Sequence, residues 1–178
     1  MKKLLLLFIF PFYVGALHAQ FTANYELNGG VVFQKVQKLY WENGVGADFT
    51  SDFLLKKRIH FTANYVTSRL GSALGTHAIK QDNFLIGVNW HFLHNNPFQI
   101  FAGLNAGYFY ADYEEEMFND LPHSSVLYQL NAGFEYRFHS PFTASLGLGY
   151  NFINGDGVST PGTLFPVFYQ LKVFYRIK

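Results

Sequence analysis

From Val126 to Phe138 the chain alternates, residue by residue, between large apolar side chains and small or polar ones. One set reads Val126, Tyr128, Leu130, Ala132, Phe134, Tyr136 and Phe138; the other reads Leu127, Gln129, Asn131, Gly133, Glu135 and Arg137. Side chains on a strand point alternately to opposite faces, so this segment is a strand with one greasy and one wet surface. The same period recurs at about 24–35, 40–53, 58–68, 83–93, 98–111, 142–153 and 166–177, which makes eight strands in an all-β chain.

Volume decides which surface faces inward. The apolar set includes Tyr25, Leu27, Val31, Phe33, Trp41, Phe49, Phe61, Tyr65, Phe84, Ile86, Trp90, Leu104, Tyr108, Tyr150 and Tyr169. The opposite set includes Gly44, Gly46, Asp48, Asn64, Gly87, Asn89, Gly103, Asn105, Gly107, Gly147, Gly149, Asn151, Gln170 and Lys172. An eight-stranded barrel is only wide enough inside for side chains to fill it. The small polar set fits there and the bulky set does not. An outward belt of Phe, Tyr and Trp suits lipid and would aggregate in water. The sequence therefore predicts an eight-stranded antiparallel up-and-down transmembrane β-barrel. The rival soluble architecture, a lipocalin-like binder of apolar ligands, needs charge spread along its outer face. Only 14% of the residues are charged, and the polar face is mostly Gly, Asn and Gln.

The front end agrees with export. Met1-Lys2-Lys3 precedes an apolar run from Leu4 to Leu17, and Ala19 precedes Gln20. That is the pattern of a secretory signal peptide over residues 1–19, leaving 20–178 as the barrel domain. Two lysines and no acid leave with the signal, so the formal charge of +1 becomes about −1. Such a balance gives no basis for nucleic-acid binding, which requires a basic patch. The absence of Cys excludes disulfides and thiolate metal sites.

Short turns are expected at 54–57, 94–97 and 139–141, and longer loops at 69–82, 112–125 and 154–165. Outer-membrane barrels have short periplasmic turns and long extracellular loops, with both termini periplasmic when the strand count is even. Aromatic residues near strand ends, among them Trp41, Tyr65 and Tyr108 toward one interface and Trp90, Tyr136 and Tyr175 toward the other, would form the two girdles. On these features the chain resembles the small eight-stranded outer-membrane proteins of Gram-negative bacteria, the OmpA/OmpX-type barrels. The resemblance covers 20–178 as architecture, including the closing strand Phe165–Lys178. It implies a porin-like barrel without a periplasmic domain, inserted by the barrel-assembly machinery, which reads the last strand. The trailing Ile177-Lys178 departs from that family's usual terminal aromatic. Its members include adhesins, resistance factors, structural stabilisers and a few lipid-modifying enzymes, so the fold leaves the function open.

Three features carry candidate chemistry. Inward positions Glu26, Asp52, His60, Glu135, Arg137, Lys172 and Arg176 are expected to form a salt-bridged plug in the periplasmic half of the lumen, with Glu26 near Arg176. A proton or ion path is the alternative use of the same groups. The loop Asp112-Tyr113-Glu114-Glu115-Glu116-Met117-Phe118-Asn119-Asp120 is acidic; it reads as a solvated loop, with a divalent cation bridging it to lipopolysaccharide phosphates as the sharper alternative. His123-Ser124-Ser125, with Glu116 or Asp120, and His77 are the candidates for lipid A deacylase or acyltransferase chemistry, yet adjacent strand residues point to opposite faces. The expected protein is non-enzymatic and needs no cofactor or metal. Its partners are outer-membrane lipids, lipopolysaccharide and, through the loops, a surface or host protein.

Overall fold

The computed structural model describes residues 24–36, 41–68, 79–93, 95–113, 123–153 and 166–178. They form β1 (Tyr25–Val36), β2 (Trp41–Ser51), β3 (Ile59–Thr67), β4 (Ile79–Phe92), β5 (Phe98–Tyr113), β6 (Ser124–Arg137), β7 (Phe142–Ile153) and β8 (Val167–Arg176). Each strand pairs antiparallel with its sequence neighbour, and β8 returns to β1, closing the barrel. Closure leaves no edge with unpaired backbone groups, which is what lets strands cross a membrane at all.

The pleat sends residues where the alternation predicts. In β6, Leu127, Gln129 and Asn131 are buried while Val126, Tyr128, Leu130 and Phe134 are exposed. Large apolar side chains cover the outside of every strand, from Val31 and Phe33 on β1 to Tyr169 and Leu171 on β8. An apolar-ligand carrier would have this set inside, so the lipocalin reading is excluded.

The inside is polar but not only polar. Asn, Gln and Gly line it, and Phe101, Phe109, Phe168, Phe174, Leu85, Leu127, Val32 and Val66 are buried among them. Glycine makes room for these rings. A β carbon on Gly149 would meet the Phe168 ring at 2.2 Å, and one on Gly133 would meet Phe101 at 2.9 Å. Large side chains opposite missing ones fill a narrow barrel without voids. A gap among Asn28, Asp48, Thr62, Glu135 and Lys172 holds about 20 Å³, room for roughly one water.

Two boundaries differ from the sequence pattern. β4 starts at Ile79 and β5 runs to Tyr113, because backbone pairing continues through Lys80↔Asp112 and Asp82↔Tyr110 after the apolar belt has ended. β2 stops at Ser51, so Asp52 and Phe53 belong to a seven-residue turn, 52–58. There Leu55, Lys56 and Lys57 all adopt left-handed backbone, at φ of 50°, 58° and 64°. Each such non-glycine residue costs on the order of 1–3 kcal/mol. Asn24, Lys178 and the turn residues 52–58, 95–97 and 138–141 share one end of the barrel, the turn end; the other is the loop end.

Candidate functional site

Most charged groups of the lumen gather at the turn end. β2 supplies Asp48, β3 His60, β4 His91, β6 Glu135 and Arg137, and β1 Glu26; all are inward positions by strand parity. His60 Nδ1 lies 2.9 and 3.0 Å from the two Asp48 carboxylate oxygens. Its Nε2 donates to the Lys57 carbonyl at 3.1 Å. Asn28 Nδ2 donates to Asp48 Oδ1 at 3.1 Å. The His60 ring stacks on His91, with centroids 3.9 Å apart. His91 Nδ1 faces Gln99 Oε1 at 3.1 Å and Glu135 Oε1 at 3.8 Å. Arg137 Nε donates to Glu135 Oε1 at 3.1 Å, and its Nη1 is 3.7 Å from Glu26 Oε2. Lys57 reaches in from the turn to Glu26 Oε1 at 2.7 Å. The result is a run of alternating charge across the lumen, in which each buried ion has a counter-ion or donor. That arrangement offsets the cost of desolvating charge and does little more for stability; breaking one partnership is what would be expensive.

A second polar knot sits toward the loop end. Buried Glu42 accepts from Gln34 Nε2 at 2.5 Å and from Asn83 Nδ2 at 2.7 Å. Gln170 donates to Gln34 Oε1 at 2.9 Å, and Gln81 to Asn83 Oδ1 at 2.7 Å. Amide oxygens accept at one step and amide nitrogens donate at the next, so the donors all run toward one carboxylate.

Of the residues that the sequence assigns to the plug, the structure brings Glu26, His60, Glu135 and Arg137 together. Lys172 borders the small gap beside Asp48 and Glu135. Arg176 stands opposite Asn28 rather than Glu26, and its Nε is buried without a hydrogen bond. Arg176 is near enough to act on the Glu26 charge, as the sequence led one to expect, but the direct contacts of Glu26 are with Lys57 and Arg137. Asp52 is not a lumen residue. It lies in the turn with half of its side chain exposed, 3.8 Å from Lys57 Nζ, because β2 ends one residue before it. The sequence did not single out Asp48, His91 and Lys57 of this network, nor Glu42 of the loop-end knot. Parity alone marks Asp48, His91 and Glu42 as inward; Lys57 is not on a strand, and nothing in the sequence shows that the turn folds it back over the mouth.

Of the acidic loop, Asp112 is exposed on β5 opposite Lys80. Glu114, Glu115, Glu116 and Asp120 lie outside the described residues, as does His77. Among the described residues no group of three His, Cys, Asp or Glu side chains is arranged to hold a metal. His123 is exposed, with Nδ1 3.3 Å from the Ala111 carbonyl, and the Ser125 hydroxyl donates to the Val126 carbonyl at 3.1 Å. Ser124 pairs with Tyr110 on the outward face, away from the inward Ser125. The Asp48–His60 pair does not resemble a nucleophile-activating dyad, since the nitrogen that would take a hydroxyl proton is occupied by a backbone carbonyl. Trp41, Tyr65 and Tyr108 mark the loop end of the outer surface, and Trp90, Tyr136 and Tyr175 the turn end. Tyr65 donates to Asp82 Oδ1 at 2.9 Å, and Lys35 Nζ lies 5.1 Å from the Trp41 ring centre.

No protein-family model matches this chain, and no curated protein matches it in sequence. Solved structures do. The N-terminal β-barrel domain of Pseudomonas aeruginosa OprF aligns with a TM-score of 0.58 at 9% identity, over 85% of this chain and 97% of that one. Neisserial surface protein A aligns at 0.51 and 12% identity, over 86% and 95%. The outer-membrane protein OprG from P. aeruginosa aligns at 0.50 and 15% identity, over 87% and 96%. The chain thus has the fold of the small eight-stranded outer-membrane barrels.

Proposed function

We propose that this chain is an exported, non-enzymatic outer-membrane barrel, acting in envelope structure, adhesion or surface interaction through its loops. The observation that carries the reading is a continuous apolar exterior around a lumen filled with rings, amides and a paired charge cluster. A packed lumen leaves little space for solute among the described residues, and the reading assigns contact with partners to the loops. The turn end, with both termini, faces the periplasm in this reading; the loops face outward. Outer-membrane lipids and lipopolysaccharide contact the belt, the barrel-assembly machinery inserts it, and a surface or host protein is the partner for the loops.

The test is fractionation of the expressing bacterium, with boiled and unboiled gel samples. Recovery in the urea-washed outer membrane with heat-dependent mobility supports the reading; recovery in the soluble periplasm overturns it. Mass spectrometry of lipid A from cells with and without the protein addresses chemistry. An unchanged acyl pattern is expected, and an altered one would move the assignment to a lipid-modifying enzyme.

A further inference from the structure

Seven residues join β2 to β3, and three in succession hold left-handed backbone without a glycine among them. L-residues adopt that conformation reluctantly, and it persists where surrounding contacts over-determine it. Backbone bonds hold both ends of the turn, Asp52 N to Asn24 O at 3.1 Å and His91 N to Arg58 O at 2.7 Å, and between them the turn is tied to the lumen by Lys57. Its Nζ is 2.7 Å from Glu26 Oε1 and 3.8 Å from Asp52 Oδ1. Its carbonyl accepts from His60 Nε2 at 3.1 Å. Glu26 is held from across the lumen by Arg137, and His60 is held by Asp48. Side chain and main chain of one residue are therefore both tied to the buried charge cluster. The two residues before it, Leu55 and Lys56, are exposed. Backbone bonds inside the turn, Lys56 N to Asp52 O at 2.9 Å and Arg58 N to Leu54 O at 3.1 Å, keep it compact without anchoring it to the lumen.

We propose that residues 52–58 form a strained strap across the turn end of the lumen, tied down through Lys57 by Glu26 and His60, which opens before the strands separate. Opening the strap cuts the Lys57 contacts and gives water access to Glu26 and His60, while the β2–β3 pairs from Phe49↔Phe61 onward stay formed. The strap is the same whichever side of the membrane that end faces and whatever the loops bind.

Trypsin reads the strap directly, because Lys56, Lys57 and Arg58 lie within it. The folded, full barrel in micelles is treated with limiting trypsin, and cleavage at 56–58 is timed by mass spectrometry. Heat-dependent gel mobility verifies folding of each variant. When closing is fast, cleavage follows the population of the open form. Glu26→Gln removes the ion pair and keeps all three cleavage sites; cleavage about tenfold faster or more is expected on that footing. Leu55→Gly relieves one left-handed residue at an exposed position, so the strap stays shut longer and cleavage slows several-fold. A merely flexible turn would respond to glycine in the opposite direction. Cleavage of Glu26→Gln at the unmodified rate, or of Leu55→Gly faster than that rate, overturns the proposal. Should Glu26→Gln fail to fold, raising the salt on the unmodified protein weakens the same partly buried pair and should accelerate cleavage, though less than it would for an exposed pair; no acceleration counts against the strap.

Discussion

At the scale of residues, the lumen is organised by what each side chain leaves for its neighbour. Phe168 occupies the space that a side chain on Gly149 would need. Gly149→Ala therefore overpacks the barrel and should cost about 1–3 kcal/mol. Combined with Phe168→Leu, the loss should be smaller than the sum of the two single changes, as urea unfolding in lipid vesicles would show. The charge cluster behaves differently, because its members are buried. His60→Ala leaves the buried Asp48 with Asn28 as its remaining side-chain donor, a loss of about 3–5 kcal/mol. Asp48→Asn on the same background removes the stranded charge and should recover part of that loss. The sequence carried His60 and Glu135 as inward charges, since strand parity is readable without a structure. It did not show that His91 would stack on His60. That contact depends on the stagger between β3 and β4, which places His60 opposite Asn89 and not opposite His91. Inward phenylalanines were hidden for a related reason. Phe109 sits between the outward Tyr108 and Tyr110, so parity points it inward, but an inward ring runs against a face read as small and polar, and the room for it shows only in the closed barrel.

At the scale of elements, the period of two carried most of the information. All eight strands lie where alternation puts them, and the departures fall at their ends. β4 and β5 extend into polar sequence because main-chain pairing does not require an apolar belt. The turn 52–58 was illegible because its conformation is set by tertiary ties on Lys57 rather than by Gly, Asn or Pro. A consequence of the outward greasy face can be tested on β6. Leu130 is exposed and Gln129 beside it is buried. If the exposed face lies in hydrocarbon, Leu130→Arg should destabilise the vesicle-embedded barrel by about 2–4 kcal/mol near the midplane. A barrel with that face in water would tolerate the change, since surface substitutions usually shift stability by less than about 0.5 kcal/mol.

At the scale of the whole molecule, closure and filling act together. The sheet removes every free edge, Phe and amide side chains occupy the lumen, and the charge cluster plugs one end. A planar bilayer containing the protein should accordingly carry no sustained open-channel current, and a steady conductance would show that the lumen is open. The central claim concerns the outside of the barrel, and the two tryptophans report on it. Trp41 is outward at the loop end and Trp90 outward at the turn end. The most direct measurement is quenching of their fluorescence, in Trp41→Phe and Trp90→Phe variants refolded into vesicles, by lipids brominated along the acyl chain and by aqueous acrylamide. Strong quenching of both residues by brominated lipid, with little by acrylamide, is the result this structure predicts. Acrylamide quenching of both, without an effect of bromine, would place the aromatic face in water and contradict the lipid-facing barrel.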